Sequence, residues 1–256
     1  MTFSGVKGKM GEAVELQNVG FAYAQNGFSK SVLKNVSFSV GKGEFAGIMG
    51  KTGCGKTTLL LALNGIVPKL VKGSFQGKVL VEGKDVSQKS VQEMSTRIAY
   101  VFQDPNDQIF SLTAFEEVAF ALKLRKLGEK EIKKRVENAL RAVGLHEFQQ
   151  QDPTTLSQGQ KQKLAIATAI AMDTPIIVLD EPIASLDYES AKHVYAILKK
   201  LNKQGKTIIV AEHDPEFLYA NASKILVLDG GKIAVEGSKT VLKSKLMSEF
   251  GLRRLK

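Results

Sequence analysis

Eight residues constrain this chain more than any others: Gly50-Lys51-Thr52-Gly53-Cys54-Gly55-Lys56-Thr57. They match G-x-x-x-x-G-K-[ST] in full, and their flanks suit the motif. Glu44 to Met49 reads as a short apolar strand, and Thr57 to Asn64 as a Leu-rich helix that Gly65 is placed to close. A strand, a glycine-rich turn and a helix in that order curl backbone N–H groups around a helix N-terminus, where the dipole favours an anion. Gly50, Lys51, Thr52, Gly53, Cys54 and Gly55 are therefore expected to cradle phosphate oxygens. Lys56 is expected to reach the β- and γ-phosphates, Thr57 to ligate Mg²⁺, and Thr58 to lie beside them. A chance glycine-rich turn is the competing reading, and the flanks weigh against it.

Hydrophobic patterning places the loop in a larger frame. Val14 to Phe21 and Val36 to Val40 read as short strands, followed by a turn at Gly41-Lys42-Gly43. Lys78 to Glu82 reads as a strand ending in a turn at Gly83, and Ile98 to Phe102 as another. Helical patterns then take over: Ala114 to Leu124, Glu129 to Val143 (closed by Gly144) and Gln158 to Met172. Short β-branched strands return at Ile176 to Leu179, Thr207 to Val210 and Lys224 to Leu228. Buried strands alternating with helices predict an α/β core with a largely parallel sheet, interrupted by a helical insert over 104–172.

Several classes are excluded. No apolar run reaches the ~18–20 residues of a membrane span. Met1 to Glu12 is rich in Gly and Lys without an apolar core, so it reads as a frayed arm rather than a secretory signal. The one cysteine, Cys54, permits no intrachain disulfide and fits a reducing compartment. A net charge of +10 suits a nucleic acid, an anionic lipid surface or a phosphate ligand without choosing among them.

The remaining polar residues gain meaning from position. Asp180 ends an apolar strand and Glu181 follows it. The first carboxylate can hold Mg²⁺ through water, and the second can polarise an attacking water. Alone this pair is weak evidence, because acids often end strands; with the loop at 50–57 it is strong. Ser157 and Gln160 have capping-box spacing ahead of the apolar run Leu164 to Met172. A capped helix start beside Gly159 is also an anion site, and the two readings are compatible. His213, in Glu212-His213-Asp214, and Gln103 each follow a strand, where parallel sheets place ligands. His213 could hydrogen-bond a γ-phosphate and Gln103 could reach Mg²⁺ or water; taken singly, each is more readily structural than catalytic.

Together these residues resemble the nucleotide-binding subunit of an ATP-binding cassette (ABC) transporter. The resemblance covers about Val14 to Lys245: Tyr23, the phosphate loop, Gln103, the signature Leu156-Ser157-Gln158-Gly159-Gln160, Asp180-Glu181, Ser185-Leu186-Asp187 and His213 follow in the family's order. It implies an α/β fold of the P-loop NTPase (RecA-like) type, with an antiparallel β subdomain and an inserted α-helical subdomain. The cassette would span 12–246, its core 12–103 and 173–246, its helical subdomain 104–172. Tyr23 would stack on adenine; Gln103 would sense the γ-phosphate and mark the loop facing the transporter. Asp187 would support the dimer interface and His213 steady the transition state. Ser157 and Gly159, with Gln160 beside them, would contact ATP bound to the partner subunit. The cofactors implied are ATP and Mg²⁺.

Val101 to Phe110 and Glu116 to Phe120 resemble the energy-coupling factor subgroup, which imports vitamins and transition-metal ions such as cobalt or nickel. So does Glu249 to Arg253, whose segment, 247–256, would assist dimerisation. The partners implied are a second ATPase subunit, identical or different, in a head-to-tail pair, a transmembrane T component and a substrate-binding S component, with this subunit peripheral at the cytoplasmic face of the cell membrane. No nucleic acid is expected, although a soluble cassette ATPase acting on DNA or ribosomes, or a nucleotide-binding protein without turnover, would share the core motifs. Three positions depart from the family: Gln158 replaces the usual Gly, Ile183 the Thr, and Tyr188 the Pro. Gln158 would either crowd the partner's γ-phosphate or point away. Asp104 and Asp107 would either receive a basic helix of the membrane partner or form a solvated turn.

Overall fold

A computed structural model describes residues 11–25 and 28–255. The proposed arm lies mostly outside them. In chain order the elements are β1 (Glu12–Gln25), β2 (Phe28–Gly41), β3 (Phe45–Met49), α1 (Lys56–Leu63), α2 (Ile66–Lys69), β4 (Gly73–Val81), β5 (Lys84–Asp85), α3 (Val91–Ser95), β6 (Ile98–Val101), α4 (Ala114–Leu124), α5 (Glu129–Ala142), α6 (Gln158–Met172), β7 (Ile176–Asp180), α7 (Tyr188–Lys203), β8 (Thr207–Ala211), α8 (Pro215–Asn221), β9 (Lys224–Asp229), β10 (Lys232–Ser238) and α9 (Leu246–Glu249).

Two sheets organise them. One is antiparallel, in the order β2-β1-β4-β5. The other runs β10-β9-β3-β8-β7-β6, parallel except for the edge strand β10. β3, β7 and β8 are buried along their whole length, which is why they read as continuous apolar runs rather than alternating ones.

Alternate residues of these strands serve two cores. Met49, Ile177, Leu179, Ile208 and Val210 face the helices, including α4, α5 and α6. Ile48, Ile176, Val178, Ile209 and Ala211 face the antiparallel sheet and α1. The period of two along a strand thus bonds the central sheet to a β layer on one side and a helical layer on the other.

The N-terminal strands extend well past their apolar runs, to 14 residues each, with register shifts on the way. Beyond Phe21 and before Leu33 the two strands have no buried side chain among those described: Ala22 and Tyr23 are half-buried and Ala24 and Ser29 to Ser31 exposed. In the helical layer, Leu122, Val136, Leu140 and Leu164 close the contact among α4, α5 and α6. The C-terminal turn folds back on its own chain: Phe250, Leu252 and Leu255 pack on the helix-side core, and Arg253 pairs with Glu216 at the start of α8.

Candidate functional site

The phosphate loop joins β3 to α1, and backbone geometry explains its glycines. A Cβ at Gly50 would lie 2.4 Å from the Leu228 carbonyl oxygen and 2.5 Å from the Cys54 sulfur. Gly55, the residue before α1, has φ +112°, a conformation in which side chains are strained. The loop is closed from within by Cys54 N–H on the Lys51 carbonyl (3.2 Å). Lys56 is buried and donates to the carbonyl of Gly50 (2.9 Å).

Sheet order then brings distant residues together. Lys56, His213, Glu181 and Gln103 lie just beyond the C-terminal ends of β3, β8, β7 and β6, which are neighbours in that order. Adjacent strands lie ~4.8 Å apart, so side chains from successive ends can meet. They meet at Glu181. Its Oε1 is 2.6 Å from His213 Nε2 and 3.6 Å from Lys56 Nζ, and its Oε2 accepts from Gln103 Nε2 at 2.9 Å. Glu181 has φ +47°, and its N–H is tied to the Ala211 carbonyl, which fixes the turn that presents the carboxylate.

These four residues, with Tyr23, Val32, Thr52, Gly53, Gly55, Thr57 and Thr58, line a cavity of about 270 Å³. Tyr23 stands on its wall, with its hydroxyl 2.8 Å from Thr58 Oγ1 and its ring edge-on to Phe21. Lys51 turns away from the cavity and lies against Gly251 of the C-terminal turn.

Asp180, at the end of β7, is almost fully buried, and among the described residues neither carboxylate oxygen has a hydrogen-bond partner. Burial pushes its carboxyl above the usual range; the Thr57 hydroxyl pulls it back, and the charge of Glu181 pushes it further up. An orphaned buried carboxylate beside a Thr hydroxyl fits the oxygen-donor set a Mg²⁺ ion requires. The hydroxyl of Tyr100 is likewise buried without a partner; burial pushes it well above the usual range, and the charge of Asp180 pushes it further.

The signature residues are elsewhere. Ser157, Gly159 and Gln160 open α6 and do not line the cavity. Both halves of the capping box form: Gln160 N–H donates to Ser157 Oγ (3.2 Å), and Ser157 N–H to Gln160 Oε1 (2.8 Å). Gly159 packs against Leu186 and Ser185. Asp187 caps α7, accepting from the backbone N–H and hydroxyl of Ser190. Gln158 points away from the helix start, toward Asp104 and Asn106. Asp104 is the cap of a 3₁₀ turn over Pro105–Asp107 rather than a free surface acid, and Asp107 is exposed.

One residue escaped the sequence pattern. Glu212 is buried behind His213, and its Oε1 accepts the His213 N–H at 2.7 Å. Tyr195, from α7, reaches its other oxygen at 3.4 Å. Burial raises the Glu212 carboxyl to about 7, against backbone hydrogen bonds from His213 and Asp214. Its place beside His213 was visible in the sequence; its burial beneath Tyr195 of α7, the helix just before β8, was not.

A phosphate loop on an interior parallel strand, β3, facing an acid pair at the end of β7 with β8 between them, defines a P-loop nucleotide-binding cassette. The family model for the ABC transporter matches residues 33–184. The energy-coupling factor transporter ATP-binding protein EcfA of Carboxydothermus hydrogenoformans is 39% identical over 245 residues, covering 95% of this chain and 88% of the relative. The solved structure of cbiO1 from Clostridium perfringens, described as part of the ABC transporter complex cbiONQ, is 30% identical with a TM-score of 0.78, covering 93% of each chain. An ATP-binding cassette solved as a dimer in a post-hydrolysis state with ADP and Pi is 32% identical with a TM-score of 0.80, covering 88% of this chain and 98% of that one. The chain belongs to the ABC transporter ATPase family, and its resemblance to the energy-coupling factor ATPases holds along nearly its whole length.

Proposed function

We propose that this ATPase energises uptake of a vitamin or a transition-metal ion, as the cytoplasmic subunit of an energy-coupling factor transporter. The observation that carries the ATPase chemistry is the convergence of Lys56, His213 and Gln103 on Glu181 in one cavity. In this reading the phosphate chain of ATP lies along the loop at 50–57, and Tyr23 stacks on adenine. Lys56, Gln103 and His213 donate to the γ-phosphate in place of Glu181. Glu181, released from them, takes a proton from the water that attacks the γ-phosphorus, and ADP leaves as the bond to its β-phosphate oxygen breaks. Thr57 and Asp180, with Gln103 beside them, would hold Mg²⁺, which when bound neutralises charge on the phosphates.

Placement of Ser157, Gly159 and Gln160 outside the cavity supports their action on a partner's ATP. Two chains, identical or different, would enclose two nucleotides head to tail, with Asp187 and the 247–256 segment near the seam. The cassette would comprise 12–246, with 104–172 as its helical subdomain. The face presented to the membrane T component would carry Phe110 and Leu112, which are 65% and 81% exposed. Phe110 meets Phe120 edge to face at 4.8 Å, so these rings form one apolar patch. The S component would choose the substrate.

Co-expression with candidate membrane components tests this reading. Co-purification with a T component supports it. A tight, salt-sensitive complex with DNA, and no membrane partner, would replace it with the soluble alternative.

A further inference from the structure

The side chain that departs from the family signature is engaged. Gln158 Nε2 donates to Asp104 Oδ1 at 3.3 Å, and Gln158 Oε1 accepts from Asn106 Nδ2 at 3.4 Å. Three residues on, and so on the same face of α6, Lys161 Nζ donates to Asn106 Oδ1 at 3.1 Å. Asp104 also accepts from the backbone N–H and side-chain amide of Asn106, at 2.9 and 2.8 Å. These bonds hold the Asp104 carboxyl below its usual range, the Asn106 N–H foremost. The first turn of α6 is thereby clipped to the 3₁₀ turn over Pro105–Asp107.

What the clip joins gives it meaning. Gln103, one residue before Asp104, holds Glu181. Ser157, one residue before Gln158, is the N-cap of α6. A Gly at 158 has no side chain to span the gap, and Gln has both a donor and an acceptor to do so.

We propose that Gln158 is a positioning residue that ties the Gln103 loop to the signature helix. The γ-phosphate donors of the chain's own site and the helix start facing the partner's ATP then move as one body. The tether itself is a property of the single chain; its effect on a partner's ATP rests on the head-to-tail reading above.

The test uses the full chain and three variants, Gln158→Gly, Gln158→Glu and Gln158→Lys, followed by amide hydrogen exchange. Gly breaks the tether, Glu sets a charge against Asp104, and Lys pairs with it. Exchange over 104–108 is expected to be about two- to fivefold faster in the Gly and Glu variants, as for the loss of a modest hydrogen bond. The Lys variant is expected to match the parent, with residues 50–57 unchanged throughout. If residue 158 served only the helix start, acid would suit it and base would not. Glu would then equal or exceed the parent and Lys would be worst; that order, or an unchanged Gly variant, overturns the tether.

ATP turnover against ATP concentration reads the functional half. The half-saturating ATP concentration is expected to rise by a similar factor with Gly and Glu and to return with Lys, while ATP binding to the monomer stays constant. A parental half-saturation in the Glu variant overturns that half. Turnover that is first order in protein refutes the paired-site reading instead, and leaves the exchange result to decide the tether.

Discussion

His213 Nε2 stands 2.6 Å from Oε1 of Glu181, so the histidine beyond β8 and the acid beyond β7 share one contact. Glu181 stands out in the sequence beside Asp180, whereas His213 does not. Their pairing follows from strand order, because β7 and β8 are parallel neighbours whose registers bring Asp180 opposite Ala211. Lys56 and Gln103 arrive from the two flanking strands, making Glu181 the point where four strand ends meet.

Asp180→Asn is expected to separate stability from activity. The native carboxylate is buried without a hydrogen-bond partner among the described residues, so removing its charge relieves a burial cost. The nucleotide-free protein is expected to melt at a higher temperature. The Mg²⁺ concentration for half-maximal turnover is expected to rise ~10–100-fold, the usual effect of losing a group that orients a bound metal's ligands. Thermal melts and Mg²⁺ titrations check the two parts; a destabilised variant with unchanged Mg²⁺ dependence contradicts the assignment.

Glu212→Gln tests a buried acid. Its folded value is about 7 against an ordinary 4.5, so between those pH values the folded chain holds a proton that the unfolded chain has released. Its contribution to stability therefore falls as pH rises from 4.5 to 7 and is level above. The amide is expected to remove that loss, which is on the order of 3 kcal/mol at pH 8 for a shift of this size. Denaturant melts of parent and variant at pH 5 and pH 8 check it: the gap should widen at pH 8. Equal gaps at both would show that Glu212 titrates normally.

Much of this architecture was legible from residues alone. The stretch from β3 through the phosphate loop to α1, and helices α4 and α6, stand out because fully apolar strands, glycines at forced positions and capping residues are local signals. The extension of β1 past Phe21 and of β2 before Leu33 was not legible, since the half-buried Ala22 and Tyr23 and the exposed Ser29 to Ser31 give no burial alternation. Edge strand β10 was missed for the same reason: its side chains alternate only between exposed and half-buried. In the site, Lys56, Asp180 and Glu181 declared themselves through motifs. Gln103 and His213 stayed ambiguous until sheet order set them on Glu181. Glu212 is buried by the packing of α7 over the end of β8, and the bridge from Gln158 to Asp104 joins elements far apart in the chain; no local pattern records either contact.

Cys54 is expected to be a slow thiol despite its place in the phosphate loop. Burial raises it, and the nearby Lys56 charge only partly offsets this. Since the thiolate is the reactive form, alkylation at pH 7 is expected to be at least ~10-fold slower in the native protein than in urea, and slower again with ATP. Mass-spectrometric labelling time courses measure both rates. Native labelling as fast as in urea would mean that the loop is open in solution.

The most direct measurement is sedimentation of Glu181→Gln with Mg²⁺ and ATP. Loss of the base is expected to cut turnover ~10²–10⁴-fold while leaving the binding groups intact. The expected species is a dimer retaining two unhydrolysed ATP molecules, absent when ATP is withheld. A variant that stays monomeric with ATP bound would contradict the paired-site reading, and one that hydrolyses ATP at the parental rate would remove Glu181 as the base.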